Sequence, residues 1–110
     1  MIVLWTLTPI EVISGLRRLL REGRVPEATA TGAEDRLAEL VRACHVIVDL
    51  DPVKTTATRL LRIHPLRAFD ALQLAAAMHW AEGRPRGRTL HTFDRRLAQA
   101  AKQEGFLVPA

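Results

Sequence analysis

Apolar residues recur along this chain in two rhythms, and the changes of rhythm divide it into elements. Ile2–Leu7 is a short, β-rich apolar run that predicts a strand. It gives way to Thr8-Pro9-Ile10-Glu11, which predicts a helix start. Thr8 can cap it, Pro9 suits a first turn whose N–H groups lack acceptors, and Glu11 follows three residues after the cap. The helix runs to about Glu22, where Gly23 can end it. A second helical pattern over about Ala33–Ala43 sets Leu37, Leu40 and Val41 on one face, and His45–Leu50 reads as a strand. Asp51-Pro52 opens a third helix, with Val53, Ala57, Leu60 and Leu61 at helical spacing, and His64-Pro65 closes it. A fourth helix covers about Leu66–Ala81, and Glu82–Arg88 is a loop by its glycine and proline content. Thr89–Thr92 reads as a short strand, Asp94–Glu104 as a helix stopped by Gly105, and Phe106–Val108 as a last strand.

Strands separated by helices, with no hairpin dipeptide between them, predict an α/β domain with a largely parallel sheet. The 110 residues, 48% of them hydrophobic, suit one domain over 1–110. A chain this short buries a limited share of its surface, so a homo-oligomer or a tight heteromer is expected. No apolar run approaches the roughly 20 residues that span a bilayer, and Met1–Thr6 lacks the charged start of a signal peptide. The expectation is a cytoplasmic protein with no membrane partner. Cys44, the single cysteine, can form neither an internal disulfide nor a thiolate cage, and reads as packing.

Charge sharpens the picture. Sixteen Lys and Arg against twelve Asp and Glu give a formal +4, and all but Lys54 and Lys102 of the cations are arginine. They group at Arg17–Arg24, at Arg59–Arg67 and at Arg84–Arg96. Guanidinium forks match phosphate, so an anionic polymer is one reading, and a solvated basic surface is the other.

Three acids stand out against this background. Asp70 sits within the alanine- and leucine-rich run Leu66–Met78, where a carboxylate is costly to bury without a cation. Glu11 follows the first strand by one turn, and Asp94 directly follows the strand at Thr89–Thr92. In a parallel sheet both would lie at the carboxyl edge where ligands collect, and Asp70 joins them if its helix starts there. Such an oxygen-rich site holds Mg²⁺ or Mn²⁺ and suits phosphodiester hydrolysis. Each acid also has a structural reading: Glu11 in a capping box with Thr8, Asp94 as a helix cap, Asp70 in a salt bridge to Arg67.

In order along the chain, Leu7-Thr8-Pro9-Ile10-Glu11-Val12, His64 through Ala75, and Thr92-Phe93-Asp94-Arg95-Arg96-Leu97 resemble PIN-domain ribonucleases, in particular VapC-like toxins of toxin–antitoxin pairs. The ending Ala100–Phe106 is similar to that family's last helix and strand. The resemblance implies a PIN-like α/β/α sandwich and Mg²⁺- or Mn²⁺-dependent endonucleolytic cleavage of RNA. It places Glu11, Asp70 and Asp94 on three of the family's acidic, metal-binding positions and Thr92 where a hydroxyl supports the last acid. Arg67, Arg95 and Arg96 would then hold the RNA backbone. It also implies a homodimer silenced by a cognate antitoxin protein.

The family normally begins with a strand ending in aspartate, and no acid precedes Glu11 here. The expectation is therefore a domain truncated at its N-terminus, with metal binding weakened. Asp49 and Asp51 are the spare aspartates near a strand end, and Asp51 reads as an N-cap before Pro52. Two further readings follow: a non-catalytic PIN-like module that binds a partner protein or RNA, and an unrelated small α/β domain whose acids are structural.

Overall fold

A computed structural model describes residues 1–109. Its elements run β1 (Val3–Trp5), α1 (Thr8–Arg21), α2 (Glu27–Ala43), β2 (His45–Ile47), α3 (Leu50–Ile63), α4 (Ala68–Trp80) and α5 (Arg95–Glu104). Helices take 62% of the chain, and among the described residues the one sheet has two strands. The protein is mostly helical, and the PIN-like α/β/α sandwich with a largely parallel central sheet is not its fold.

The difference arises chiefly in the last third of the chain. Residues expected as strands at 89–92 and 106–108 meet in a single parallel bridge, Thr89 with Leu107. Two bonds hold it, Leu90 N–H to Leu107 C=O at 2.9 Å and Leu107 N–H to Arg88 C=O at 2.9 Å. A ladder extends when side chains on one face bury together. Thr89–Thr92 has one apolar residue, Leu90, and Leu107 is exposed, so pairing stops after one step.

The chain forms two compact units, Met1–Ile47 and Val48–Ala110. In the first, β1 and β2 pair in parallel with Val3, Leu4 and Trp5 opposite His45, Val46 and Ile47. Trp5, Ala30 and Ile47 are its buried apolar residues. Helix α1 starts at Thr8 with Leu7 as its N-cap, and no side-chain cap bond forms. Thr8 is thus inside the helix, and the expected Thr8–Glu11 capping box does not close it. The Leu7 carbonyl instead accepts from the Ile10 and Glu11 N–H groups at 3.1 and 3.3 Å. Helix α2 begins at Glu27, earlier than its apolar rhythm predicts, with extended Pro26 as its N-cap and Glu27 in the first turn, where the helix dipole favours an acid. Its first two turns bury Ala30 alone, so they carry no apolar stripe for a periodicity to detect. Arg17 joins α1 to α2 through Glu34, Nε to Oε1 at 2.9 Å and Nη2 to Oε2 at 3.2 Å.

The second unit is a three-helix assembly. Helix α3 buries Val53, Ala57 and Leu60, α4 buries Ala71, Leu74, Ala75 and Ala76, and α5 buries Leu97, Ala100 and Ala101. Leu60, Leu74, Leu97 and Val53 are its largest fully buried side chains, and Phe106 is also buried. The alanines between them let helix axes approach closely. Helix α3 starts at Leu50, so Asp49 is its N-cap and Asp51 lies in its first turn, where Pro52 breaks no intrahelical bond. Asp49 makes no cap bond, and its Oδ2 stands 2.9 Å from His79 Nε2. Helix α5 ends at Gly105, whose φ of 110° favours glycine and where a Cβ would come within 3.1 Å of Pro85 Cγ, a tight contact.

A polar clamp ties the far ends of α3 and α5. Buried His64 donates from Nε2 to Glu104 Oε2 at 2.7 Å, and Arg59 Nη2 donates to Glu104 Oε1 at 3.0 Å. Burial works to raise the Glu104 carboxyl, but the hydrogen bonds and positive charge of Arg59 and His64 outweigh it and hold it below the usual glutamate range. The clamp therefore adds stability above that range, and loses it as pH falls through the depressed native value. Glu104→Gln is expected to lower stability by about 1–3 kcal/mol at neutral pH. In urea melts, the gap from wild type should narrow as pH drops below the usual glutamate range; a pH-independent gap would show that ionisation of Glu104 contributes nothing.

Candidate functional site

The start of α4 follows from its leader. After His64-Pro65, Arg67 is extended with φ −81° and ψ 164°, and its carbonyl accepts from the Ala71 N–H at 3.0 Å. Asp70 consequently occupies the first helical turn, half-buried. A first-turn carboxylate is favoured by the helix dipole. Its setting otherwise resists ionisation: burial raises the Asp70 carboxyl, the negative charge of Asp94 raises it further, and Arg67 only partly opposes them. The expected Arg67 salt bridge is not formed, since among the described residues no cation lies within 4.0 Å of Asp70.

Asp94 is held by a local lattice of main-chain bonds. It is the N-cap of α5, with Oδ1 accepting from the Leu97 N–H at 2.8 Å. Thr92 Oγ1 accepts from the Asp94 N–H at 3.1 Å. The Thr92 hydroxyl thus fixes the backbone of the acid. The capping role of Asp94 and a ligand role are compatible, because the cap uses Oδ1 and leaves Oδ2 to other partners.

Asp70 and Asp94 therefore come together at the leading ends of α4 and α5, close enough for one charge to hinder ionisation of the other. Glu11 belongs to the first unit, half-buried in the first turn of α1. Among the described residues no cluster of three or more His, Cys, Asp and Glu side chains gathers as a metal cage. The chemistry of the pair nevertheless suits Mg²⁺ or Mn²⁺: two hard oxygen donors, neighbouring negative charges and partial desolvation of Asp70. Such ions take one or two protein carboxylates and keep several waters. Arg67, Arg95 and Arg96 are exposed beside these acids in sequence.

Two features of this region escape a reading based on charge. Phe69 and Phe93 each immediately precede one of the paired acids, and both are exposed. The repeated Phe-Asp dipeptide was the available signal. Trp80 is half-buried and carries the Arg88 guanidinium 4.8 Å from its ring centroid. Cys44 is a half-buried free thiol. No described helix is long and apolar enough to cross a membrane.

Comparison with protein-family models, with curated proteins and with solved structures finds no match to this chain.

Proposed function

We propose that this protein is an RNA phosphodiesterase whose centre is the Asp70–Asp94 pair with Mg²⁺ or Mn²⁺. The observation that carries the reading is the convergence of two carboxylates from separate helices with no cation of the protein bound between them. The charge of exposed Asp94 beside half-buried Asp70 raises the energy of the ionised pair, and a divalent cation relieves that cost. When bound, the ion supplies an activated water and neutralises charge on the phosphoryl group.

The protein's own contributions are positioning and charge. Asp70 and Asp94 hold the ion, Thr92 and the Leu97 N–H fix Asp94, and Arg67, Arg95 and Arg96 bind phosphates of the RNA backbone. The reading rests on these residues and requires no sandwich fold. Calorimetric titration of the full chain with Mn²⁺ tests it. Saturable binding that Asp94→Asn abolishes, together with EDTA-sensitive cleavage of RNA, is the expected result. No Mn²⁺ binding by the wild type overturns the metal centre and leaves a non-catalytic RNA- or protein-binding module.

A further inference from the structure

We propose that Phe69 and Phe93 are base-stacking contacts that hold a single RNA strand beside the Asp70–Asp94 pair. This deepens the nuclease reading and depends on it for the identity of the polymer. The chain has three phenylalanines, and Phe106 is buried in the ordinary way. The other two are not: Phe69 is 46% exposed and Phe93 108%.

One exposed aromatic residue would carry no message, since isolated apolar side chains are common on surfaces. The placement of these two is different. Phe93 occupies the position just before the N-cap of α5, where an apolar residue ordinarily packs against the fourth helical residue as a staple. That residue is Ala98, and the full exposure of Phe93 shows that no staple forms. Phe69 precedes Asp70 on α4, and successive helical residues diverge by about 100°, so its ring flanks the acid without covering it. Phe93 thus stands fully exposed and Phe69 nearly half exposed, each next to an acid that senses the other's charge.

Charge complementarity selects the occupant. Arg67 lies two residues before Phe69, and Arg95 and Arg96 follow Asp94, all three exposed. Open aromatic faces interleaved with guanidinium groups match a strand that offers phosphates and unpaired bases together. A duplex offers the phosphates but hides the base faces. Stacking accepts any base, so the contact favours single strands with little sequence preference.

The test is fluorescence anisotropy of the full chain with a labelled 15-nucleotide RNA lacking self-complementarity, in EDTA so that no cleavage occurs. Phe93→Ala is expected to weaken binding about tenfold, Phe69→Ala by a similar factor, and Phe93→Trp to retain it. Loss of a stacking contact should leave the salt dependence of binding unchanged, whereas loss of Arg95 and Arg96 should reduce its slope. The same RNA annealed to its complement should bind more weakly and respond to neither phenylalanine. Both rings are exposed, so these variants keep the fold, and thermal melts verify it. Single-strand affinity within twofold of wild type in both alanine variants overturns the proposal, as does an equal loss for the duplex or no binding by the wild type. Asp70→Asn separates this inference from the metal centre: in EDTA it should bind the strand as well as wild type, even where Mn²⁺ binding and cleavage fail.

Discussion

Asp70→Asn is expected to abolish Mn²⁺-dependent RNA cleavage while making the metal-free protein more stable. The two effects have one cause. Burial and the charge of Asp94 raise the Asp70 carboxyl, so the folded state holds its proton more tightly than the unfolded chain does. At low pH, with Asp70 protonated in both states, it imposes no penalty. As pH rises past the usual aspartate range, ionisation favours the unfolded chain, and the full penalty is present at neutral pH. Asparagine removes that charge with little change in shape, so the melting temperature at neutral pH should rise and its difference from wild type should vanish in acid. The same substitution removes a ligand charge from the proposed metal centre. Loss of about 3–4 kcal/mol of transition-state stabilisation corresponds to roughly 10²–10³-fold in rate. Stability at pH 7 and initial rates with Mn²⁺ are the measurements. Undiminished cleavage in Asp70→Asn would show that the site is elsewhere, and a lower melting temperature at neutral pH would contradict the electrostatic account of the pair. An acid retained at a cost to stability is the pattern expected where function opposes folding.

Leu74→Ala should be the most damaging single truncation in the second unit. Leu74 is fully buried on α4, among Ala71, Ala75 and Ala76. A core in which Leu60, Leu97, Val53 and Phe106 are joined mainly by alanines has little material to collapse into a new void. The cost should fall in the upper part of the range of about 2–5 kcal/mol for such substitutions. A small domain has about 5–15 kcal/mol in total, so a large fraction of its stability would go, and the melting temperature should fall by more than about 10 °C. Leu61→Ala is the control. Leu61 is 45% exposed on α3, and its truncation should shift stability by less than about 1 kcal/mol. Equal losses in the two variants would mean that Leu61 is covered in solution by a further surface, such as a second copy of the chain.

Local rules were legible along much of the chain. Of the apolar rhythm Val53, Ala57, Leu60 and Leu61, the first three form the buried face of α3 and Leu61 is exposed, and Gly105 located the end of α5. Asp94 as the cap of its helix was also readable, because an N-cap is a short-range arrangement. Failures began where an outcome needed a distant partner. Thr89–Thr92 and Phe106–Val108 have strand character, yet strand length is decided by what each face can bury, and they pair at one bridge. Resemblance of motifs to a known nuclease family carried with it a sandwich that this helical chain does not form.

The acids show the same division. Sequence alone marked Asp70 as a carboxylate in apolar company and Asp94 as the acid opening a helix, since composition and capping are local properties. Only the tertiary structure decided that α4 and α5 bring these two acids into each other's field, that Arg67 leaves Asp70 without a salt bridge, and that Phe69 and Phe93 are exposed beside them. Electrostatic coupling and exposure depend on distances between atoms remote in sequence, which the packing of Leu60, Leu74 and Leu97 sets and no local pattern encodes.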